Sequence, residues 1–241
     1  MTRIADIKRF YSLIDQLADR VGGRIALASL RERRWPQRGV YFFFDDREQR
    51  LDSGDGPRIV RVGTHALNAG SRSTLRQRLS QHKGKSAGGG NHRGSIFRLL
   101  VGQALIERGD GKACASWGVR GDAAKASAVL GISSVALLAA EQPLEEAVTE
   151  YLSGLTFVRL SVLDEAGPDT MRGLVERNSI ALLSNYERPA IDPPSANWLG
   201  HASDRPLVRR SGLWNQRHVS ESHNPAFLDT LAELIEQDGP I

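Results

Sequence analysis

Gly39-Val40-Tyr41-Phe42-Phe43-Phe44 is a run of aromatic and branched side chains that suits a buried strand, and it constrains what surrounds it. The polar stretch DDREQRLDSGDGP then reads as a hairpin connection to a second strand, Arg58-Ile59-Val60-Arg61-Val62. From Thr74 the period changes. Leu75 and Leu79 make one apolar line of a helix, with Arg78 and His82, four apart, along its edge. Ile96, Phe97, Leu100, Val101, Ala104 and Leu105 mark a further amphipathic helix, and Thr156 to Val162 alternates as a third strand.

Outside this centre the pattern is helical. Ile7, Phe10, Tyr11, Ile14, Leu17, Ala18 and Val21 share one face and stop at Gly22-Gly23, which marks a packing helix with a glycine cap. Pro143 to Leu152 reads as helix, while residues 108–140 are rich in Gly and Ala and carry no clear period. In GPDTMRGLVERNSIALLSN, Asp169 or Thr170 caps a helix on which Glu176, Ile180 and Leu183 share a line. A last helix opens at Asn224-Pro225 and lines up Phe227, Leu228, Leu231 and Ile235.

The charge is unevenly placed. No acid occurs between Asp55 and Glu107, yet the interval holds nine Lys/Arg and three His, while the whole chain nets only +4. Concentrated positive charge suits a polyanion, and DNA is the expected partner. The N-terminus carries charges throughout and the longest small-apolar run, Val135 to Ala140, is too short to span a bilayer, so the expectation is a cytoplasmic protein with no membrane partner. The lone Cys114 excludes an internal disulfide and reads as a buried small residue. Gly84-Lys85-Ser86 follows a helix and lacks the upstream glycine of a phosphate loop, so it reads as a basic loop over a DNA backbone. LVRRSGLWNQRHV alternates basic residues with an aromatic, which suits backbone contacts and a stacked base; equally, Trp198 and Trp214 fill a core beneath the last helix.

Taken in order, Gly39-Val40-Tyr41, Arg61-Val62-Gly63, TLRQRLSQH, His92 and LVERNSIALLSN resemble the signatures of the GIY-YIG nuclease domain over roughly Arg38 to Asn185. The resemblance implies an α+β fold, a three-stranded antiparallel sheet flanked by helices. Residues 1–37 are then an N-terminal helical extension, 38–185 the nuclease domain with an insertion at about 108–153, and 186–241 a C-terminal extension. It implies Tyr41 as general base, Arg78 as transition-state stabiliser, His82 as the group orienting Tyr41 or the water, and Glu176 as the sole ligand of Mg²⁺ or Mn²⁺. His92 and Asn185 stand behind them, to hold phosphate or the glutamate. Arg61, His65, Arg72, Arg76, Lys83, Lys85, His92, Arg93 and Asn185 are the expected nucleic-acid contacts. Where the family's second signature has a tyrosine this chain has Arg61, which accepts no proton near neutrality and is expected to contact phosphate.

The implied activity is a metal-dependent DNA endonuclease of restriction or defence character, leaving a 5′-phosphate and a 3′-hydroxyl. Two alternatives stay open: a DNA-binding module that has lost its chemistry at Arg61, and a repair or mobile-element nuclease. Double-strand cleavage needs a homodimer or sequential nicks, and the terminal helices are candidates for a symmetric contact. Without the motif order, the favoured readings are Tyr41 as a core aromatic, Arg78 and His82 as a solvated helix face, and Glu176 as a surface partner of Arg172.

Overall fold

A two-residue edge strand β1 (Ile25–Ala26) joins β2 (Gly39–Gln49), β3 (Pro57–Gly63) and β4 (Leu155–Ser161) in an antiparallel sheet of order β1-β4-β2-β3. This computed structural model describes residues 2–30, 35–85 and 87–239; the arginine-rich stretch 31–34 and Ser86 lie outside the described residues. The architecture is α+β, as expected, with one strand more than the three expected. Two residues are too few to show a period.

The unbroken apolar run of β2 has a direct cause. Val40, Phe42 and Phe44 point into one core, with Phe10, Ile14, Val158, Val175 and Leu228, while Tyr41 and Phe43 point into another, with Leu75, Leu79, Phe97, Val148 and Trp214. Period-two alternation is hidden when both faces are covered. The first core is roofed by α1 (Arg3–Val21), α6 (Met171–Leu183) and α8 (Phe227–Gln237). The second is roofed by α2 (Leu75–Lys83), α3 (Ile96–Arg108) and α5 (Ser134–Ser153), with α4 (Ala123–Leu130) packed on α5 and α7 (Pro206–Ser211) packed on the turn Leu199–Ala202, which lies against α3. Both terminal segments therefore share the cores of the central stretch. Among the described residues no single helix is long and apolar enough to cross a membrane; α4 and α5 reach that size only as a pair bent by 105°.

Helix ends follow the sequence signals. Gly22 caps α1 in the left-handed region, Thr74 and Gln77 form a capping box on α2, and Thr170, the second of the two candidates, accepts from Gly173 N–H (3.0 Å) to start α6. Helix α5 begins at Ser134 and runs through Pro143, longer than the pattern from Pro143 suggests. Cys114 is only half-buried, its Sγ 3.1 Å from Ser116 Oγ.

The polar connection after Phe44 is a correction. Strand β2 continues through Asp45-Asp46-Arg47-Glu48-Gln49, because its inward acids are paired. Asp45 is held by Arg47 (2.7 Å) and Glu48 by Arg58 (3.2 Å) and Ser195 (2.6 Å), so charge enters the strand without an unpaired buried group. The turn beyond is tied to the C-terminal region by Asp192, whose Oδ1 accepts from the backbone N–H groups of Leu51 (2.8 Å), Asp52 (2.7 Å) and Ser53 (3.1 Å).

Burial pushes the Asp192 carboxyl up, but hydrogen bonds from Ser53 and these N–H groups outweigh it and hold it below its ordinary value of 3.8. Its stabilisation is thus present above that value and lost as pH falls through the depressed one. Asp192→Ala leaves three N–H donors unmatched and is expected to cost about 2–4 kcal/mol in urea unfolding at neutral pH, with Asp192→Asn costing less. An unchanged midpoint for Asp192→Ala contradicts this account.

Candidate active site

The edge of β3 facing away from β2 builds the site. In an antiparallel strand every second residue turns both its N–H and its C=O to the same side, and an uncovered edge leaves them unpaired. Here Val60, Val62 and Thr64 face outward in succession. Val60 C=O accepts from Trp214 N–H (2.8 Å), and the Asn215 side chain meets both groups of Val62, accepting from its N–H (3.1 Å) and donating to its C=O (2.8 Å). Thr64 N–H, next in line, donates to Glu176 Oε1 (3.1 Å). One continuous edge thus positions the C-terminal segment and the expected metal-binding carboxylate.

Glu176 lies half-buried in a cavity of about 830 Å³ shared with Arg61, His65, Arg78 and the backbone after β3. Burial raises its pKa above the usual carboxylate value, while Arg61, the Thr64 N–H, His218 and Arg78 pull it back down. It does not pair with Arg172, which is buried and holds Asp164 and the carbonyls of His65 (2.5 Å) and Glu165 (2.9 Å). One further hollow shares Thr64, His65 and Arg78 with this cavity, and a second lies over α2 and the glycine loop; their walls include Ser71, Thr74, Arg76, Gln81, Lys85 and Asn91. Glu176 lines the first, and no other acid lines any of the three.

Tyr41 and His82 are brought together behind this cavity. Both are fully buried, and the phenol oxygen lies 2.9 Å from His82 Nε2. His82 Nδ1 lies 2.8 Å from Ser95 Oγ at the start of α3, so each ring nitrogen has a fixed partner. Burial and then Arg78, Arg61 and Arg98 push the His82 pKa well down, leaving a neutral imidazole. The second-signature glycine has a steric cause: Gly63 is paired with Tyr41 across the sheet, and a Cβ there would overlap the Tyr41 hydroxyl. Gly39 is likewise pressed on the Leu160 carbonyl.

Arg61, the expected phosphate contact, lines the cavity but is also engaged within the protein. Its guanidinium is buried over the Phe97 ring (4.8 Å), and Nη1 donates to the Trp214 carbonyl. Burial lowers its pKa, opposed by the nearby Tyr41 and Glu176. Arg78 is half-buried and donates to Gln81 Oε1 (3.0 Å) and the Gly94 carbonyl (3.2 Å) at the mouth.

The other expected contacts divide into two groups. Arg72, Arg76 and Lys85 are exposed, and Lys83 donates to the Leu30 carbonyl (3.2 Å). His92, Arg93 and Asn185 are engaged inside the protein instead: His92 is stacked on Trp117 and bonded to Glu145 (3.0 Å), Arg93 is paired with Glu141 (2.6 Å), and Asn185 accepts from Arg3 (3.0 Å) and Ile191 (3.0 Å). Acids on α5, far along the chain, neutralise what the linear sequence shows as free charge. Trp214 and Trp198 are buried against each other (5.4 Å) in the α3 core and not beneath α8, so neither is a stacking platform. Thr64, Asn215, Arg217 and His218 line the cavity as well; Thr64 carries no sequence signal, while the other three fall in LVRRSGLWNQRHV, read above only as a segment for backbone contacts.

His65 is buried, with Nδ1 3.1 Å from the Ser73 carbonyl; that ring nitrogen must donate, which leaves Nε2 a bare acceptor. Burial, then Arg172, lowers its pKa from 6.5 to about 4. The unfolded chain protonates first, so stability is expected to fall as pH drops from about 6.5 towards 4, with His82 adding in the same direction. Thermal unfolding checks this: Tm falls across that window, and less steeply in His65→Asn.

No curated protein and no solved structure matches the chain. The family model described as the GIY-YIG domain matches residues 1–240, both terminal segments included. With its signature glycines packed as described and its single acid facing a basic trough, the chain belongs to the GIY-YIG family, a family of nuclease type.

Proposed function

We propose that this protein is a divalent-metal-dependent DNA endonuclease. The observation that supports it best is the lone carboxylate of Glu176 in a trough otherwise lined by neutral and cationic groups. Phosphodiester hydrolysis needs a proton acceptor for water, positive charge near the phosphorus and relief for the leaving oxygen.

Among the described residues there is no group of three His, Cys, Asp or Glu that could hold a metal. The donor set suits a hard cation that keeps most of its water: a single carboxylate, one oxygen fixed by Thr64 N–H, facing a roomy cavity. Mg²⁺ or Mn²⁺ held there supplies charge for the leaving oxygen. Arg78, steadied by Gln81 and the Gly94 carbonyl, lies at the mouth to meet non-bridging oxygens. Arg72, Arg76 and Lys85 lie exposed along α2 and its flanks, where a DNA backbone tracks them. Tyr41 is the proton acceptor in this reading, with His82 holding the phenol. Since Tyr41 has no exposed surface, that step requires the phenol to be opened to water when substrate binds.

The same burial supports a second reading, a DNA-binding module that has kept the fold and lost water activation. Plasmid incubation separates them. The nuclease reading expects nicking or cleavage with Mg²⁺ or Mn²⁺, none with EDTA, and a loss of roughly 10²-fold or more in Glu176→Ala and Tyr41→Phe. Salt-sensitive binding without cleavage under either metal, restored by Arg61→Tyr, establishes the second. Plasmid, branched and damaged DNA, compared side by side, separate a restriction role from a repair or mobile-element one.

A further inference from the structure

The segment after α7 is pinned at both ends. Upstream, Trp214 and Asn215 are bonded to Val60 and Val62 on β3, and the Trp214 carbonyl accepts from Arg61. Downstream, His218 Nδ1 lies 2.8 Å from Glu221 Oε1, Glu221 pairs with Arg177 on α6, and the Val219 carbonyl accepts from Ser184 Oγ (2.6 Å) at the end of α6. The two anchors are the elements that carry Arg61 and Glu176. Between them His218 turns through the left-handed region (φ 64°), a conformation uncommon outside glycine. The turn brings Gln216, Arg217 and His218 to the cavity that holds Glu176.

The arginines of this region have different fates. Arg209 donates to the Ser203 carbonyl, and Arg210 pairs with Glu187 (3.1 Å) over the Tyr186 ring (4.5 Å). Arg217 is exposed, lines the cavity, and has no ion-pair or hydrogen-bond partner among the described residues. A free guanidinium on a strap fixed at both ends is set to meet an anion, and its planar fork matches phosphate oxygens.

We propose that residues 215–218 form a wall of the active site and that Arg217 is a substrate-binding residue, taking a DNA backbone phosphate next to the one at Glu176. This rests on the DNA reading above and assigns Arg217 a place in it. The strap also accounts for Arg61: the guanidinium at the second-signature position latches the strap to β3.

The test is equilibrium binding of a fluorescent duplex of about 20 base pairs to the Glu176→Gln protein over a range of salt concentrations. Arg217→Ala is expected to weaken binding roughly three- to tenfold and to reduce the log–log salt slope by about one, with Arg217→Lys between. Arg205→Ala, on the exposed surface before α7, is the control and changes neither. Tm of each variant is measured alongside, and an exposed Arg217 predicts no shift. Parental affinity and slope in Arg217→Ala overturn the strap's role and leave the nuclease reading standing. A Glu176→Gln protein that binds no duplex, paired with a parent that cuts none, overturns the DNA reading itself.

Discussion

The outer edge of β3 is the constraint on which the site depends. A sheet edge leaves N–H and C=O groups at every second residue, and burying them unpaired costs more than most side-chain contacts return. At Val60, Val62 and Thr64 the chain resolves this with three different partners: a backbone N–H, a side-chain amide and a carboxylate. The third of these is Glu176. The Thr64 N–H fixes one of its oxygens, which is why one carboxylate from α6 stands at a fixed point beside residues from β3. The Asn215 amide is the hinge of the arrangement, since it does the work of a peptide group just where the strap leaves the edge.

Much of the frame was legible because it rests on local periodicity. Ile7 to Val21, Leu75 and Leu79, Phe227 to Ile235 and the three long strands all lie where spacing puts them. What escaped was non-local. Asp45 and Glu48 looked like turn residues because their partners, Arg47 and Arg58, are visible only after β2 and β3 pair. The acid-free tract suggested nine free cations, yet Arg58, Arg61, Arg93 and Arg98 turn inward, two of them onto Glu141 and Glu145 of α5. A linear charge count cannot register acids that arrive from about fifty residues downstream.

The candidate site was legible in part for the same reason. Arg78 and His82 share a helix edge and Glu176 shares a line with Ile180, so their common region follows from helix geometry once the strands pair. The strap's basic residues stood out, but its course along β3 did not, because LWNQRHV carries neither strand nor helix period and pairs with β3 at Trp214 and Asn215 alone. His92 is the opposite case. It stands at a motif position in sequence, but Glu145 and Trp117 hold it in the α3–α5 packing.

Arg61 joins these two parts of the site. A phenol at that position could give or take one proton; a guanidinium offers donors only, and here one of them goes to the strap. Burying a cation is costly unless its charge is answered, and the Phe97 face, the Trp214 carbonyl, Tyr41 and Glu176 all answer it. The exchange is mutual, because Arg61 is also the largest of the groups opposing the cost of burying Glu176 as an anion. The substitution therefore trades a proton acceptor for a fixed positive charge that both latches the C-terminal wall and keeps the single carboxylate ionisable.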